Sequence, residues 1–231
     1  SRVNTVMMPF DYTAEMSIED AKELADNLSI NHSVISIKDI YESFFDALAP
    51  SFKNTVVDKT EENLQSRCRG VTLMALSNKL GYLVLTTGNK SEAAVGYSTL
   101  YGDTAGGFSV LKDVSKTLVY ELSKYRNLKS FVIPRRIIER APSAELAPDQ
   151  KDTDSLPDYS ILDPIIEMYV EMDLSPNDII AKGYEEEEVR RILRLIDLNE
   201  YKRRQVPIGI KISDRNFGKD RRYPITNGWK P

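Results

Sequence analysis

At residues 82–92 the chain reads Tyr-Leu-Val-Leu-Thr-Thr-Gly-Asn-Lys-Ser-Glu, an apolar run that leads straight into a polar loop. A compact apolar run of this kind indicates a buried parallel strand, and ligands of open parallel sheets bind beyond the C-terminal ends of the strands. Thr87 offers a hydroxyl, Gly88 lets the backbone approach a ligand, and Glu92 offers a hard oxygen ligand for Mg²⁺. The same residues also suit a plain strand-to-helix turn, with Gly88 as the turn residue and Ser91 as the N-cap.

The segments on either side of this strand alternate between strand-like and helix-like patterns. Strands are predicted near 3–8 and 33–37, and helices at 18–28, 40–48 and 60–80. A second set of apolar residues at helical spacing runs from 161 to 196. The alternation predicts an α/β fold, a Rossmann-like twisted and mostly parallel sheet with a helical C-terminal portion.

The predicted helix at 60–80 carries two neighbouring faces. Its apolar stripe consists of Leu64, Cys68, Val71 and Ala75. Asn63 and Arg67 lie one turn apart on the adjacent face, so the N-terminal half of the helix would present them together. Cys68 falls on the apolar stripe, and we expect it in the core.

The composition excludes several classes of function. The 231 residues are 41% hydrophobic and 29% charged, as in an ordinary globular domain, and the net charge is −4. That charge gives no bulk attraction to nucleic acid or to an anionic membrane. No run approaches the roughly 18 apolar residues of a membrane span, and the cytoplasm is the default expectation.

The scarcity of histidine and cysteine narrows the chemistry further. His32 and Cys68 are the single residues of their types, so the chain cannot build a disulfide, a His/Cys metal site or a Cys-His nucleophile from such a pair. Catalysis would have to use carboxylates, lysines, arginines, hydroxyls and a bound cation. That set is typical of phosphoryl or nucleotidyl transfer, where positioning and charge neutralisation dominate.

Three further features are candidates, each with a structural alternative. The glycine-rich loop at 102–107 is either a substrate loop or a flexible turn, and Lys116 is either a phosphate contact or a solvated lysine. The basic stretch at 201–222 suits anion binding, an interface or a solvated surface. The segment at 141–159, rich in proline and acids, is predicted to be an exposed and mobile loop.

Taken in order along the chain, these segments resemble NAD synthetase. The matching runs are Val6-Met7-Met8-Pro9, Glu61 to Arg67, Leu85 to Glu92, Gly96 to Asp103, Pro142 to Leu146, Asp154 to Pro157, Tyr201 to Gln205 and Phe217 to Arg222. The last two resemble the synthetase half of the glutamine-dependent bacterial enzymes more than the short ammonia-dependent ones. The resemblance covers residues 1–231 as one amidating domain of the ATP-pyrophosphatase fold.

The resemblance implies a reaction and a set of site residues. The nicotinate carboxylate of deamido-NAD attacks the α-phosphate of ATP with Mg²⁺ present, pyrophosphate leaves, and ammonia displaces AMP to give NAD. The implied ATP contacts are Thr87, Lys116, Ser143 and Met8. The implied deamido-NAD contacts are Asn63, Arg67, Glu92, Tyr97, Leu100 and Lys202, with Glu92 also the metal ligand and Glu92 and Lys116 the catalytic pair.

The sequence also departs from the family pattern. The Ser-Gly-Gly-x-Asp-Ser loop that grips pyrophosphate is not found, and neither is the glutaminase domain that would supply ammonia. We therefore expect an N-terminally incomplete copy, which in the family would form a homodimer or larger homo-oligomer. A non-catalytic nucleotide-binding fragment and another adenylating amidotransferase of the same fold are the alternatives.

We predict that the 231-residue chain alone does not catalyse the first half-reaction, because it lacks the Ser-Gly-Gly-x-Asp-Ser loop, whose backbone would hold pyrophosphate and whose aspartate would bind Mg²⁺ in the family. The measurement is ATP–pyrophosphate exchange in the presence of deamido-NAD. Turnover by a chain shown by mass to begin at Ser1 would contradict this prediction.

Overall fold

Short parallel strands alternate with helices in a computed structural model, which describes residues 2–226 and 228. The strands are β1 (Asn4–Met7), β2 (Asn31–Val34), β3 (Leu85–Thr86) and β4 (Phe108–Ser109). The helices are α1 (Glu15–Asn27), α2 (Lys38–Leu48), α3 (Lys59–Leu80), α4 (Lys90–Val95), α5 (Lys116–Lys129), α6 (Arg135–Glu139), α7 (Tyr159–Ile166), α8 (Pro176–Ile180), α9 (Glu186–Leu198) and α10 (Glu200–Arg203). A 3₁₀ turn spans Asp152–Asp154, and a π-helical turn spans Glu167–Glu171.

The strands pair in parallel, which confirms the predicted class. β1 pairs with β2, and β3 pairs with β4, as two separate two-stranded sheets in the described part of the chain. A parallel bridge between Ser109 and Gly209 brings the C-terminal segment alongside β4. The apolar run before Gly88 is less buried than predicted: Thr86 is 7% exposed, but Leu83 is 66% exposed.

Helix α3 has clear signals at both ends. Asp58 and Glu61 form a capping box at its N-terminus, and Gly81 ends it in the left-handed conformation at φ 69°. Cys68 is buried, as predicted, whereas Val71 of the same predicted stripe is 59% exposed. A Cβ on Gly70 would lie 2.7 Å from the carbonyl oxygen of Tyr101, so glycine lets the 102–107 loop pack directly on α3.

The main core lies in the C-terminal half. Its fully buried side chains include Leu162, Ile165, Ile179, Val189, Ile192, Leu193 and Ile196. The α9 members of this core have the predicted helical spacing. The apolar stripe that they form packs against α4, α7 and α8. Ala94 and Val95 of α4 belong to the same core. The short helix after the 86–92 loop is therefore fixed by packing. None of the helices in residues 2–226 combines the length and hydropathy needed to cross a membrane.

A buried lysine fixes the other face of α4. The Lys90 side chain is 3% exposed, and its Nζ lies 2.8 Å from Asp113 Oδ1 and 2.7 Å from Glu171 Oε1. It also donates to Ser213 Oγ at 2.8 Å. Burial acts to raise the pKa of Asp113, but the hydrogen bonds from Lys90 and from the Ser213 and Ile212 amides outweigh it, and that pKa is lowered.

Part of the basic stretch at 201–222 belongs to the buried core and does not form an anion site. Arg221 is 1% exposed, pairs with Asp197, and stacks over the rings of Tyr169 and Tyr223 at 4.7 and 3.9 Å. Arg203 pairs with Glu200, and burial lowers the pKa of Arg203 to about 10. For these two arginines, the interpretation as anion-binding residues is wrong.

The 141–159 segment is irregular, as predicted, but it is not generally exposed. Asp152, Leu156 and Tyr159 are each less than 9% exposed. Gln65 Nε2 of α3 donates to the Leu146 carbonyl at 2.9 Å, and Glu145 pairs with Arg140 at 2.7 Å. The segment thus forms a wall against α3, and its mobility stays a prediction.

We predict that Lys90→Met destabilises the chain by about 3–5 kcal/mol, because it leaves the buried carboxylate of Asp113 and the partly buried one of Glu171 without their cation. Urea denaturation measures the change in the free energy of unfolding. Lys124→Met, at an exposed position of α5, is the control and should change stability by less than about 0.5 kcal/mol. Equal effects of the two substitutions would contradict the role assigned to Lys90.

Candidate functional site

A cavity of about 1060 Å³ lies where α3, α4, α5 and the 141–152 segment meet the end of β1. Most of the predicted site residues line it, namely Met8, Asn63, Glu92, Tyr97, Lys116, Ser143 and Lys202. These residues come from segments far apart in the chain. The fold therefore brings together side chains that the sequence proposes one by one.

Three predicted residues lie outside this lining. Thr87 follows β3 at an exposed position, and Arg67 is exposed on α3. The Arg67 Nε donates to the Leu100 carbonyl at 3.2 Å, so these two predicted contacts touch each other. The helical face that enters the cavity carries Asn63 and Ser66 instead of Arg67.

Glu92 serves two purposes at the start of α4. Asn89 is the N-cap, its side chain accepting from the Glu92 amide at 3.0 Å, and Glu92 Oε2 accepts from the Asn89 amide at 3.2 Å. The other carboxylate oxygen, Oε1, lies 3.1 Å from Lys116 Nζ. The alternative with Ser91 as N-cap is wrong, because the Ser91 hydroxyl instead donates to Asp163. The capping box thus holds the Glu92 carboxylate in the cavity wall.

Lys116 is held as a charged group. It begins α5, and its amide donates to Ser91 Oγ at 2.9 Å. Burial acts to lower the pKa of Lys116, but the adjacent Glu92 carboxylate outweighs it, and that pKa is raised. The alternative of a solvated lysine does not fit, because the Lys116 side chain is 19% exposed.

Next to this ion pair lies an acid–tyrosine cluster that sequence reasoning missed. The Tyr159 hydroxyl donates to Asp152 Oδ2 at 2.8 Å, and the Tyr159 ring lies 5.5 Å from Lys116 Nζ. Burial and the Asp152 carboxylate both raise the pKa of Tyr97 and of Tyr159, so the phenols keep their protons. The sequence offered Asp152 only as one of several acids in an irregular segment.

The glycine-rich loop is part of the same wall rather than a flexible turn. The Thr99 hydroxyl donates to Asn63 Oδ1 at 2.7 Å, and the Thr99 amide donates to Asp103 Oδ1 at 2.6 Å. A Cβ on Gly102 would lie 2.2 Å from Ser66 Oγ. Close packing of this loop on α3 therefore sets the orientation of Asn63.

Lys202 closes the C-terminal side of the cavity. Its Nζ donates to the carbonyls of Gly96 and Ser98, at 2.7 and 2.8 Å. Burial lowers the pKa of Lys202. The ammonium group donates to neutral oxygens, and no carboxylate in the described residues forms an ion pair with it.

The fit of a divalent cation can be judged from the oxygen ligands present. Residues 2–226 and 228 hold no cluster of three or more His, Cys, Asp or Glu side chains arranged for a metal ion. Mg²⁺ commonly takes one or two carboxylates and fills its other positions with phosphate oxygens and water. Glu92 suits the first role in the cavity wall.

Comparison with known proteins gives a consistent family. A family model described as NAD synthase matches residues 1–206, a range that includes every predicted site residue. The chain is 59% identical to the glutamine-dependent NAD(+) synthetase of Acinetobacter baylyi, over 100% of this chain and 43% of that protein. The chain thus spans less than half the length of this relative.

Similar solved structures point to the same family. A glutamine-dependent NAD+ synthetase from Acinetobacter baumannii, in complex with ADP, is 53% identical with a TM-score of 0.60, over 99% of this chain and 41% of that one. An NMN synthetase from Francisella tularensis is 27% identical with a TM-score of 0.70, over 86% of this chain and 75% of that one. The predicted fold class is confirmed by these similarities, and the chain belongs to the NAD synthase family.

Proposed function

We propose that this chain is the ATP-dependent amidating part of a glutamine-dependent NAD synthetase, acting on deamido-NAD. The observation that carries the proposal is the convergence of Glu92, Lys116, Tyr97 and Asn63 on one cavity. Support comes from the family match and from the ADP complex of the Acinetobacter baumannii relative.

The proposed chemistry has two steps. A carboxylate oxygen of the nicotinate ring attacks the α-phosphorus of ATP, the bond to the β-phosphate oxygen breaks, and pyrophosphate leaves. Ammonia then attacks the acyl carbon of the adenylate, AMP departs, and a proton is lost to give the carboxamide. Both steps gather negative charge on phosphate oxygens, which cations in a partly desolvated cavity stabilise most effectively.

The side chains divide this work by charge and hydrogen bonding. Lys116 contributes a positive charge beside the phosphates, and the raised pKa keeps it protonated. Tyr97 and Asn63 offer neutral hydrogen bonds to the deamido-NAD portion. Ser143 and Met8 line the ATP portion. Mg²⁺, held by Glu92 together with substrate oxygens, would neutralise phosphate charge in the first step.

The source of ammonia, the oligomeric state and the cellular location are also proposals. Ammonia would come from a glutaminase domain, since the longer relatives are named as glutamine-dependent. We propose a homodimer or larger homo-oligomer and a cytoplasmic location, following the family resemblance.

The proposal is tested by the choice of substrate. We expect deamido-NAD to raise the melting temperature of the chain more than the nicotinate mononucleotide does at equal concentration, because a bound ligand stabilises the folded state according to its affinity. The mononucleotide is the appropriate competitor because of the similarity to an NMN synthetase. A larger shift with the mononucleotide would favour NMN formation, and no shift with either would contradict both functions.

Glu92→Gln separates catalysis from folding and from binding. Glutamine keeps the capping box but removes the charge, so we predict a loss of roughly 10²–10³-fold in the adenylation rate with no loss of ATP affinity. ATP–pyrophosphate exchange by the intact gene product and ATP titration give the two quantities. Glu121→Gln, at an exposed position of α5, is the matched control. Equal losses of rate and affinity would count against the assigned role.

A further inference from the structure

Arg69 is a cavity residue that neither the sequence pattern nor the proposed function uses. It lies on α3 two positions beyond Arg67, but it lines the cavity, whereas Arg67 does not. Asn63, Ser66 and Arg69 follow each other at three-residue spacing along one helical face. The Arg69 Nε donates to the Met8 carbonyl at 3.0 Å, which fixes the guanidinium plane beyond the end of β1.

The other positive groups of this wall already have partners. Lys116 pairs with Glu92 at 3.1 Å, Arg140 with Glu145 at 2.7 Å, and Lys59 with Glu62 at 2.8 Å. Lys202 uses two carbonyl oxygens.

Arg69 forms no ion pair with the described carboxylates. Burial is the main reason that the pKa of Arg69 is lowered, and Cys68 and the Glu145 carboxylate act in the opposite direction. That carboxylate is engaged by Arg140 and by the Ser17 hydroxyl, at 2.7 Å each. Arg69 is therefore a partly desolvated cation without an ion pair among the described residues, and an anionic ligand would compensate the cost of that burial.

We propose that Arg69 binds a phosphate group of a nucleotide substrate through the guanidinium nitrogens left free by the bond to Met8. The planar fork of arginine matches two phosphate oxygens at once. The inference deepens the proposed function and rests on it for the identity of the nucleotide. ATP and deamido-NAD both carry such a group, and binding measurements distinguish the two sources.

A purely structural role for Arg69 would consist of tying α3 to β1 through Met8. Two substitutions separate this role from phosphate binding. Arg69→Gln keeps an N–H donor but removes the positive charge, and Arg69→Lys keeps the charge but loses the planar fork. Arg135→Gln, at an exposed arginine that begins α6 outside the cavity, is the matched control.

The experiment is calorimetric titration of the 231-residue chain and its variants with tripolyphosphate, ATP, deamido-NAD and adenosine. We expect Arg69→Gln to weaken binding of at least one phosphate-bearing ligand by roughly tenfold to a hundredfold, since charge-assisted hydrogen bonds are lost. Arg69→Lys should lose less, the Arg135 variant should match the original chain, and adenosine affinity should not change. Loss confined to ATP or to deamido-NAD identifies the source of the phosphate.

The inference is overturned if Arg69→Gln binds every phosphate ligand as tightly as the original chain. It is also overturned if adenosine affinity falls by the same factor as ATP affinity, or if the original chain binds none of the four probes. If tripolyphosphate binding depends on Arg69 but deamido-NAD neither binds nor stabilises the chain, the anion site stands and the proposed function fails.

Discussion

The buried ion pairs of Lys90 determine where the candidate site lies. An isolated helix as short as α4 is not stable in water, so its position depends on what it packs against. On one side, Ala94 and Val95 enter the apolar core built by α7, α8 and α9. On the other side, Lys90 forms ion pairs with Asp113, which lies just before α5, and with Glu171, which lies in the π-helical turn. Removing the lysine would leave the Asp113 carboxylate buried without a cation, so the arrangement tolerates few alternatives.

That constraint explains how the first residues of α4 can combine structure and chemistry. The capping box of Asn89 and Glu92 uses one carboxylate oxygen to stabilise the helix, and the other oxygen pairs with Lys116. Because α4 cannot shift, the carboxylate stays at the cavity wall rather than following a mobile loop. The two interpretations of this loop, as a plain turn and as a functional loop, are therefore compatible, because the Glu92 side chain caps the helix and still faces the cavity.

Local patterns predicted the parts of the fold that depend on near neighbours. The α9 stripe, the end of α3 at Gly81 and the position of Cys68 follow from helical spacing and backbone preference. The contacts of Lys90 and the pairing of Asp152 with Tyr159 could not be predicted in this way. Lys90 meets a residue more than 120 positions away, Ser213, and no local signal indicates that contact.

Helix α3 shows the limit of periodicity most clearly. Spacing alone places Asn63 and Arg67 on a common face, but the contacts of α3 with Met8 and with the glycine-rich loop decide which edge of that face meets the cavity. Arg67 donates to the Leu100 carbonyl, just before that loop, and Arg69 donates to the Met8 carbonyl.

The cations that line the cavity differ in whether a carboxylate already pairs with them. They would therefore interact with a phosphate in different ways. A phosphate that approaches Lys116 competes with Glu92 for the same ammonium group, so part of the attraction is lost in weakening an existing ion pair. Arg69 and Lys202 instead donate to neutral carbonyls and form no ion pair with the described carboxylates. These two cations are therefore suited to ground-state binding. The Glu92–Lys116 pair is suited to a change of partners that becomes favourable only when additional negative charge develops during the reaction.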